Sequence, residues 1–243
     1  MLKTAFVSGA SRGIGRAIAT ALAQRGYHLS LTCEKNETML LDFAQSLSRE
    51  YHIRVLTFVG NMGDSAFVSD VADKTLKAFG QMDVIINNAG ISYVGLLTDM
   101  TDEQWNQVLN VNLSSCFYTA RAFLPSMIAK QQGQIISISS MWGRVGASCE
   151  VAYSASKGGM HAFTRALAKE LAPSHISVNA IACGVIDTDM NSFLSEEDAA
   201  ALAAEIPAGR FAETKEVAQT VLSLLDSPSY LTGQIIGLDG GYI

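Results

Sequence analysis

Residues 4–15 read TAFVSGASRGIG, a short apolar run that leads into three glycines within seven positions. Gly9 can take the tight turn after a strand, Gly13 lets the backbone approach a pyrophosphate, and Gly15 allows close packing of helix on strand. The amide groups and the positive dipole end of that helix would then face the phosphates. The spacing G-x-x-x-G-x-G differs from the general G-x-G-x-x-G fingerprint, and an ordinary strand-to-helix turn can carry the same glycines. The stretch therefore predicts a dinucleotide site but does not establish one.

Short apolar runs alternate with longer amphipathic ones along the rest of the chain, a pattern typical of βαβ units and a parallel sheet. Strands are predicted at 4–8, 28–33, 53–59, 83–87, 134–139, 176–181 and 234–238. Helices are predicted at 15–25, 37–50, 64–79, 112–131 and 153–171, with a capping box from Thr101 to Gln104 and a kink or an end at Pro125. The predicted fold class is α/β. We expect a single doubly wound, Rossmann-type domain over residues 1–243, with a seven-stranded, mostly parallel sheet and helices on both faces.

Composition excludes several classes of partner. Hydrophobic residues make up 49% of the 243 residues and charged residues 16%, which favours a large core over disorder. The formal net charge of −6 argues against nucleic acid or an anionic membrane as a partner.

The chain reaches Gly9 too soon for a signal peptide and has no apolar run of about 18 residues, so we expect a cytoplasmic protein. Four cysteines lack C-x-x-C or histidine-ligand spacing, which predicts reduced packing residues and no metal site; they are Cys33, Cys116, Cys149 and Cys183.

The choice of cofactor depends on the end of the second predicted strand, at Cys33 and Glu34. An acidic residue near this point typically binds the ribose 2′-hydroxyl of NAD, whereas a basic residue can hold the 2′-phosphate of NADP. Cys33 supplies no carboxylate. Arg12 in the glycine loop can pair with a phosphate, but Glu34 would repel one. These residues favour NADP(H) by a modest margin and leave NAD(H) open.

A candidate catalytic set follows in the second half of the chain. The sequence YSASK places Tyr153 and Lys157 at positions i and i+4, on one face of a helix. A phenol has an ordinary pKa of about 10, and a neighbouring ammonium would favour the phenolate. Ser140, at the end of an apolar run, can supply a second hydrogen bond to a substrate oxygen. A Y-x-x-x-K pair is common by chance in a chain with seven tyrosines, so the pair gains its weight from the ordered motifs around it.

That ordered set resembles the short-chain dehydrogenase/reductase family over essentially the whole chain. The motifs are the glycine loop, the N-N-A-G sequence at 87–90, Asn112, and the serine thirteen residues before the Y-x-x-x-K tyrosine. The resemblance implies hydride transfer between a nicotinamide and a carbonyl carbon. It implies that Tyr153 is the general acid or base, that Lys157 also holds the nicotinamide ribose, and that Ser140 orients the carbonyl.

The resemblance also assigns residues around this centre. Asn112 is expected to position a water that relays protons to Lys157, and a mobile flap is expected at 187–200, with a helix that starts at Ser195. Besides Gly9, Gly13, Gly15, Tyr153 and Lys157, the residues expected at the cofactor site are Ser11, Arg12, Ile14, Cys33, Asn61, Met62, Asn88, Ala89, Gly90, Ile186 and Thr188.

Within this family the chain is most similar to the bacterial 3-oxoacyl-[acyl-carrier-protein] reductases, in the stretches 8–15, 178–190, 206–210 and 238–241. That similarity implies reduction of a β-ketoacyl thioester with NADPH, and acyl carrier protein as a partner. It also implies a homotetramer built on the helices at 112–131 and 153–171 and on the C-terminal strand.

The chain departs from those reductases at three places. Ser8 stands where threonine is usual, and Cys183 replaces the proline of a P-G turn. The basic residues expected at the mouth of the cleft are sparse, since the relevant positions are Gln131, Gln132 and Ser174, with Lys130 and His175 nearby. Two other functions stay open: a sugar or polyol dehydrogenase, which would differ in the pocket at Met141, Trp142, Arg144 and Val151, and a redox-sensing nucleotide-binding protein.

Overall fold

The sheet that the apolar runs predict is present. In the computed structural model, which describes residues 2–191 and 194–243, the strands are β1 (Thr4–Val7), β2 (His28–Cys33), β3 (Val55–Val59), β4 (Val84–Asn87), β5 (Gly133–Ser140), β6 (Ile176–Cys183) and β7 (Ile235–Leu238). Within those residue ranges they form one seven-stranded, all-parallel sheet in the order β3-β2-β1-β4-β5-β6-β7. The predicted fold class, a doubly wound α/β domain, is confirmed.

The helices connect the strands and cover both faces of the sheet. In order along the described chain they are α1 (Gly13–Gln24), α2 (Glu37–Tyr51), α3 (Ser65–Phe79), α4 (Asp102–Leu109), α5 (Ser115–Lys130), α6 (Trp142–Val145), α7 (Val151–Leu171), α8 (Glu196–Glu205) and α9 (Thr214–Leu225). Thr101 and Gln104 form the predicted capping box at the start of α4.

Two apolar layers lie on opposite faces of the sheet, because successive side chains of a strand point in opposite directions. Val7 belongs to the layer that includes Ile18 of α1, and its neighbour Phe6 belongs to the layer that includes Phe123 of α5. The rings of Phe6 and Phe123 lie with their centroids 5.3 Å apart. With both faces covered, the strands carry continuous apolar sequence rather than alternation.

Strand order reverses between β1 and β4, because the chain first builds outward through β2 and β3 and then returns to the other side of β1. At such a switch point the loops diverge beyond the carboxyl ends of the strands and leave a crevice. The glycine loop follows β1, and the N-N-A-G sequence begins at the end of β4. The fold therefore places both motifs at this crevice.

One of two alternatives expected at Pro125 is wrong. The helix was expected to kink or end there, and it does not end, because α5 continues through Pro125 to Lys130. Proline removes one backbone hydrogen bond within a helix. Phe123 and Met127, on either side of it, are fully buried, and their packing holds the segment helical. The preceding turn, Asn110–Ser114, is π-helical, so Asn112 lies before α5 rather than inside it.

None of the helices in the described ranges combines the length and the apolar character needed to cross a bilayer. The described residues also contain no group of three or more histidine, cysteine, aspartate or glutamate side chains that could hold a metal ion.

Candidate active site

The glycine loop after β1 requires glycine at two positions. Gly9 has a φ of +67°, a left-handed conformation that side chains with a Cβ rarely adopt. A Cβ atom at Gly15 would overlap the carbonyl oxygen of Gly9, so only glycine lets α1 start this close to β1. No side chain in the described ranges caps the N-terminus of α1, and its first turn carries no acidic residue. The positive end of the helix is therefore available to an anion.

Ser8 and Asn88 join the ends of β1 and β4 beneath this loop. The Ser8 hydroxyl accepts hydrogen bonds from the backbone N–H groups of Asn88 and Ala89, each at 3.0 Å. The Asn88 side chain donates to the carbonyl oxygens of Ser8 at 2.9 Å and Gly9 at 3.1 Å. The substitution of serine for the usual threonine therefore keeps the hydroxyl in use, and the two motifs form one rigid crevice wall.

The candidate catalytic residues come from the end of β5 and the first turns of α7. Ser140 is the last residue of β5, and its Oγ atom accepts the backbone N–H of Trp142 at 3.2 Å. Lys157 is buried, and its Nζ atom lies 5.5 Å from the centroid of the Tyr153 ring. The hydroxyl of Ser140 lies close enough to the Tyr153 phenol to lower its pKa. The structure thus brings the three residues together as the sequence predicts.

The electrostatics of Tyr153 differ from the expectation. Burial raises the pKa of the Tyr153 phenol, the hydroxyl of Ser140 opposes that increase in part, and the nearby Glu150 adds to it. Lys157 was expected to lower this pKa, but burial has the larger effect and raises it. The Nζ atom of Lys157 donates to the carbonyl oxygen of Ile138 at 2.9 Å. Tyr153 is therefore a neutral phenol at pH 7, the form that can donate a proton.

Asn112 lies beside Lys157, across Gly90. The Cβ position of Gly90 is 3.4 Å from Asn112 Oδ1 and 3.6 Å from Lys157 Nζ. Asn112 is fully buried, and its side chain accepts from the backbone N–H of Ile91 at 2.8 Å and donates to the Ile91 carbonyl oxygen at 2.9 Å. It also donates to Ser156 Oγ at 3.0 Å. The π-helical turn that precedes α5 holds the amide in this position.

Comparisons with known proteins identify the family of the chain. Residues 3–199 match the family model described as short chain dehydrogenase. The chain is 39% identical over its full length to an uncharacterized oxidoreductase of Bacillus subtilis, and the match covers 99% of that protein. It is 38% identical to the 3-oxoacyl-[acyl-carrier-protein] reductases of Escherichia coli and Thermotoga maritima, with 98% and 99% of this chain and 96% and 98% of those proteins covered. The chain belongs to the short-chain dehydrogenase family.

As a short-chain dehydrogenase, the protein is an oxidoreductase of a family that binds NAD(P)(H). The residues present fit such a cofactor, because the glycine loop offers a cradle without side chains, next to an uncapped helix end. Thr188 closes this loop from the far side, with its Cγ2 atom 3.6 Å from the Cβ position of Gly13. Ile186 is buried behind it and pairs with Ala212 in an isolated parallel bridge.

Three other residues expected at the cofactor site of this short-chain dehydrogenase have contacts within the protein. Met62 is buried in the core, and its sulfur accepts a hydrogen bond from the Thr32 hydroxyl at 3.4 Å. Asn61 uses its side-chain oxygen to accept the backbone N–H of Gly63 at 2.7 Å. Cys33 is buried at the end of β2. Met62 and Cys33 therefore expose little side-chain surface.

Arg12 has a partner that the sequence did not reveal. Its Nη1 atom lies 2.9 Å from Oδ2 of Asp189, and both side chains are well exposed. Asp189 lies in the segment 187–200, where a flap was expected; residues 192 and 193 of that segment lie outside the described residues. The predicted helix is present, since Ser195 caps α8 by accepting the backbone N–H of Asp198 at 3.1 Å.

The expected docking residues lie at the wrong edge of the sheet for a single chain. Lys130 is ion-paired with Asp83, which directly precedes β4, and His175 directly precedes β6. Both positions are at the amino ends of parallel strands, whereas Ser140 is at a carboxyl end. The eight residues of β5 separate those edges by roughly 23 Å. Within one chain these residues are therefore distant from Ser140.

Proposed function

We propose that the protein reduces a β-ketoacyl thioester to its 3-hydroxyacyl form, with NADPH as the reductant. The observation that carries this proposal is the convergence of Ser140, Tyr153 and Lys157 beside the glycine loop. Relatives that match the chain over nearly its whole length and are named 3-oxoacyl-[acyl-carrier-protein] reductases support the acyl substrate.

The protein's part in the reaction is to bind the ketone, polarise it and deliver a proton. NADPH, when bound, supplies the hydride that adds to the carbonyl carbon. Tyr153 donates its phenolic proton to the carbonyl oxygen as that oxygen gains charge. Ser140 donates a hydrogen bond to the same oxygen, since its Oγ already accepts the Trp142 N–H and its own proton can point outward.

Lys157 and Asn112 complete the proton path in this proposal. Lys157 binds the nicotinamide ribose and stabilises the phenolate left on Tyr153 after proton transfer. Asn112 lies next to Lys157 across Gly90, where its amide can orient a water that returns a proton to the phenolate. The fully buried amide of Asn112 and its bonds to Ile91 fix this orientation.

We further propose a cytoplasmic homotetramer as the active form. The outer face of α5 presents Phe117 and Ile128, 44% and 40% exposed, and α7 begins at the equally exposed Val151. Exposed apolar side chains on two adjacent helices favour burial against a second copy. Sedimentation analysis should give a tetramer for the wild type and smaller species for Phe117→Asp. A monomeric wild type would contradict the proposal.

A comparison of acyl carriers tests the substrate. The acetoacetyl group is presented on acyl carrier protein, on coenzyme A and on a short pantetheine-like thiol, each with NADPH and with NADH. An enzyme dedicated to the carrier protein should favour it at least roughly tenfold in kcat/KM, and the advantage should shrink at high salt. Equal rates on all three would show that acyl carrier protein is not a specific partner, while the proposed ketone reductase activity would stand. If the enzyme turned over only a sugar or a cyclic alcohol, the proposal of an acyl substrate would be wrong and a sugar or polyol dehydrogenase would be the better assignment.

A further inference from the structure

Tyr242 holds the last turn of α8. Tyr242 donates its hydroxyl hydrogen to Oε2 of Glu205, the final residue of α8, at 2.8 Å. None of the residues of α8 is buried, so this helix has little packing of its own. The segment that carries Tyr242 also contacts the residues just after α8: the Gly240 carbonyl oxygen accepts the backbone N–H of Ala208 at 3.1 Å.

The same tyrosine packs against the turn that holds Ser140. The rings of Trp142 and Tyr242 lie edge to face, with centroids 6.1 Å apart and an interplanar angle of 63°. The backbone N–H of Trp142 donates to Ser140 Oγ. A continuous series of contacts therefore runs from Ser140 through Trp142 and Tyr242 to Glu205.

We propose that Tyr242 is a positioning residue that ties α8 to the turn carrying Ser140 and Trp142, and that this link sets the affinity for the ketone substrate. Its hydroxyl holds the C-terminal end of α8 through Glu205, and its ring contacts Trp142, whose backbone N–H donates to Ser140 Oγ. This inference rests on the proposed function, since a ketone substrate must enter the cleft that Ser140 and Tyr153 define. Asp189, which precedes α8 in the chain, forms an ion pair with Arg12.

Tyr242→Phe separates the two contacts, because it keeps the ring against Trp142 and removes the bond to Glu205. We expect KM for the ketone substrate to rise roughly three- to tenfold, which is the scale of one typical hydrogen bond in a solvent-exposed position. The turnover number should change less than about twofold, and the affinity for NADPH should stay the same. Tyr230→Phe is the matched control, because Tyr230 is 97% exposed.

A double-mutant cycle distinguishes a direct contact from a general loss of stability. Glu205→Ala should reproduce the effect of Tyr242→Phe, the double variant should be no worse than either single one, and Glu205→Gln, which keeps an acceptor oxygen, should retain most of the wild-type KM. Additive effects would overturn the proposal.

Amide hydrogen exchange of the wild type and of Tyr242→Phe, without any substrate, gives a second readout. Exchange in α8 should be faster in the variant, while exchange in the core strands should be unchanged. Unchanged exchange in α8 overturns the proposal, and faster exchange with unchanged KM overturns its link to the substrate. If the wild type reduces no thioester, the proposed function fails, yet the exchange experiment still tests Tyr242.

Discussion

Lys157 donates a hydrogen bond from Nζ to the carbonyl oxygen of Ile138, 2.9 Å away, and both residues are buried. The ammonium is therefore fixed by a neutral oxygen rather than by a carboxylate, and burial lowers its pKa. It keeps its other two N–H groups for partners in the crevice. We expect Lys157→Ala to lose both turnover and cofactor affinity, measured by steady-state kinetics and by the fluorescence of bound NADPH. Normal NADPH affinity in this variant would exclude Lys157 from the cofactor site.

Tyr153→Phe tests the proton donor alone. The phenyl ring keeps the packing of Tyr153 and removes only the acidic proton, so kcat should fall at least about a hundredfold, the scale of general acid catalysis. Cofactor affinity should change little. Tyr230→Phe serves as the control. A Tyr153→Phe variant that retains near wild-type turnover would mean that another group donates the proton.

We expect the choice between NADPH and NADH to depend on the charges of Arg12 and Glu34. We expect the wild type to prefer NADPH to NADH by a modest margin. Arg12→Ala should shrink this preference, and Glu34→Ser should widen it, because each changes one charge near the 2′-phosphate. Both side chains are exposed, so the effects should be small and should weaken as salt increases.

The ion pair between Arg12 and Asp189 adds a third variant to this test. Asp189→Asn removes the carboxylate that holds Arg12 and should widen the preference for NADPH, measured as the ratio of kcat/KM values for the two cofactors. A wild type that works faster with NADH at equal concentration would refute the preference. An Asp189→Asn variant with an unchanged ratio would show that Arg12 does not contact the phosphate.

The sheet and the candidate catalytic residues can be predicted from the sequence because both depend on local patterns. The buried strands are continuous apolar runs, and Ser140 ends one of them, while Tyr153 and Lys157 lie one helical turn apart. Local patterns do not predict contacts between segments that are far apart in the sequence. Arg12 and Asp189 are 177 residues apart in sequence, and no local signal marks either as the partner of the other.

Two further features of the structure differ from the sequence-based predictions, and both also depend on contacts between distant segments. The π-helical turn at Asn112 depends on bonds from its side chain to Ile91 and Ser156, which lie on other segments. The pKa of Tyr153 was expected to fall because of a neighbouring ammonium, but burial has the larger effect and raises it. Spacing along a helix shows that two side chains can be neighbours, whereas burial depends on the whole fold.

His161 gives the fold a dependence on pH that is separate from catalysis. Its ring is buried, and Nε2 lies 2.8 Å from the hydroxyl of Ser139. Burial lowers the pKa of His161 to about 4, with further lowering from the positive charges of Arg165, Arg144 and Lys157; a hydrogen bond to the backbone of Gly143 acts in the opposite direction. His161 is therefore neutral in the folded protein at pH 7.

Because the ordinary pKa of histidine is about 6.5, the unfolded chain binds a proton at His161 between about pH 6.5 and pH 4 that the folded protein does not. The free energy of unfolding should therefore fall as the pH drops through this window and level off below about pH 4, by at most about 3 kcal/mol from this group. Carboxylates titrate in the same range, so the measurement is the difference between the wild type and His161→Gln, which keeps a hydrogen-bonding amide but cannot titrate. Urea unfolding at pH 7.5, 6, 5 and 4.5 should show that the wild type loses more stability than the variant on acidification. Parallel curves for the two proteins would show that His161 is protonated alike in the folded and unfolded states.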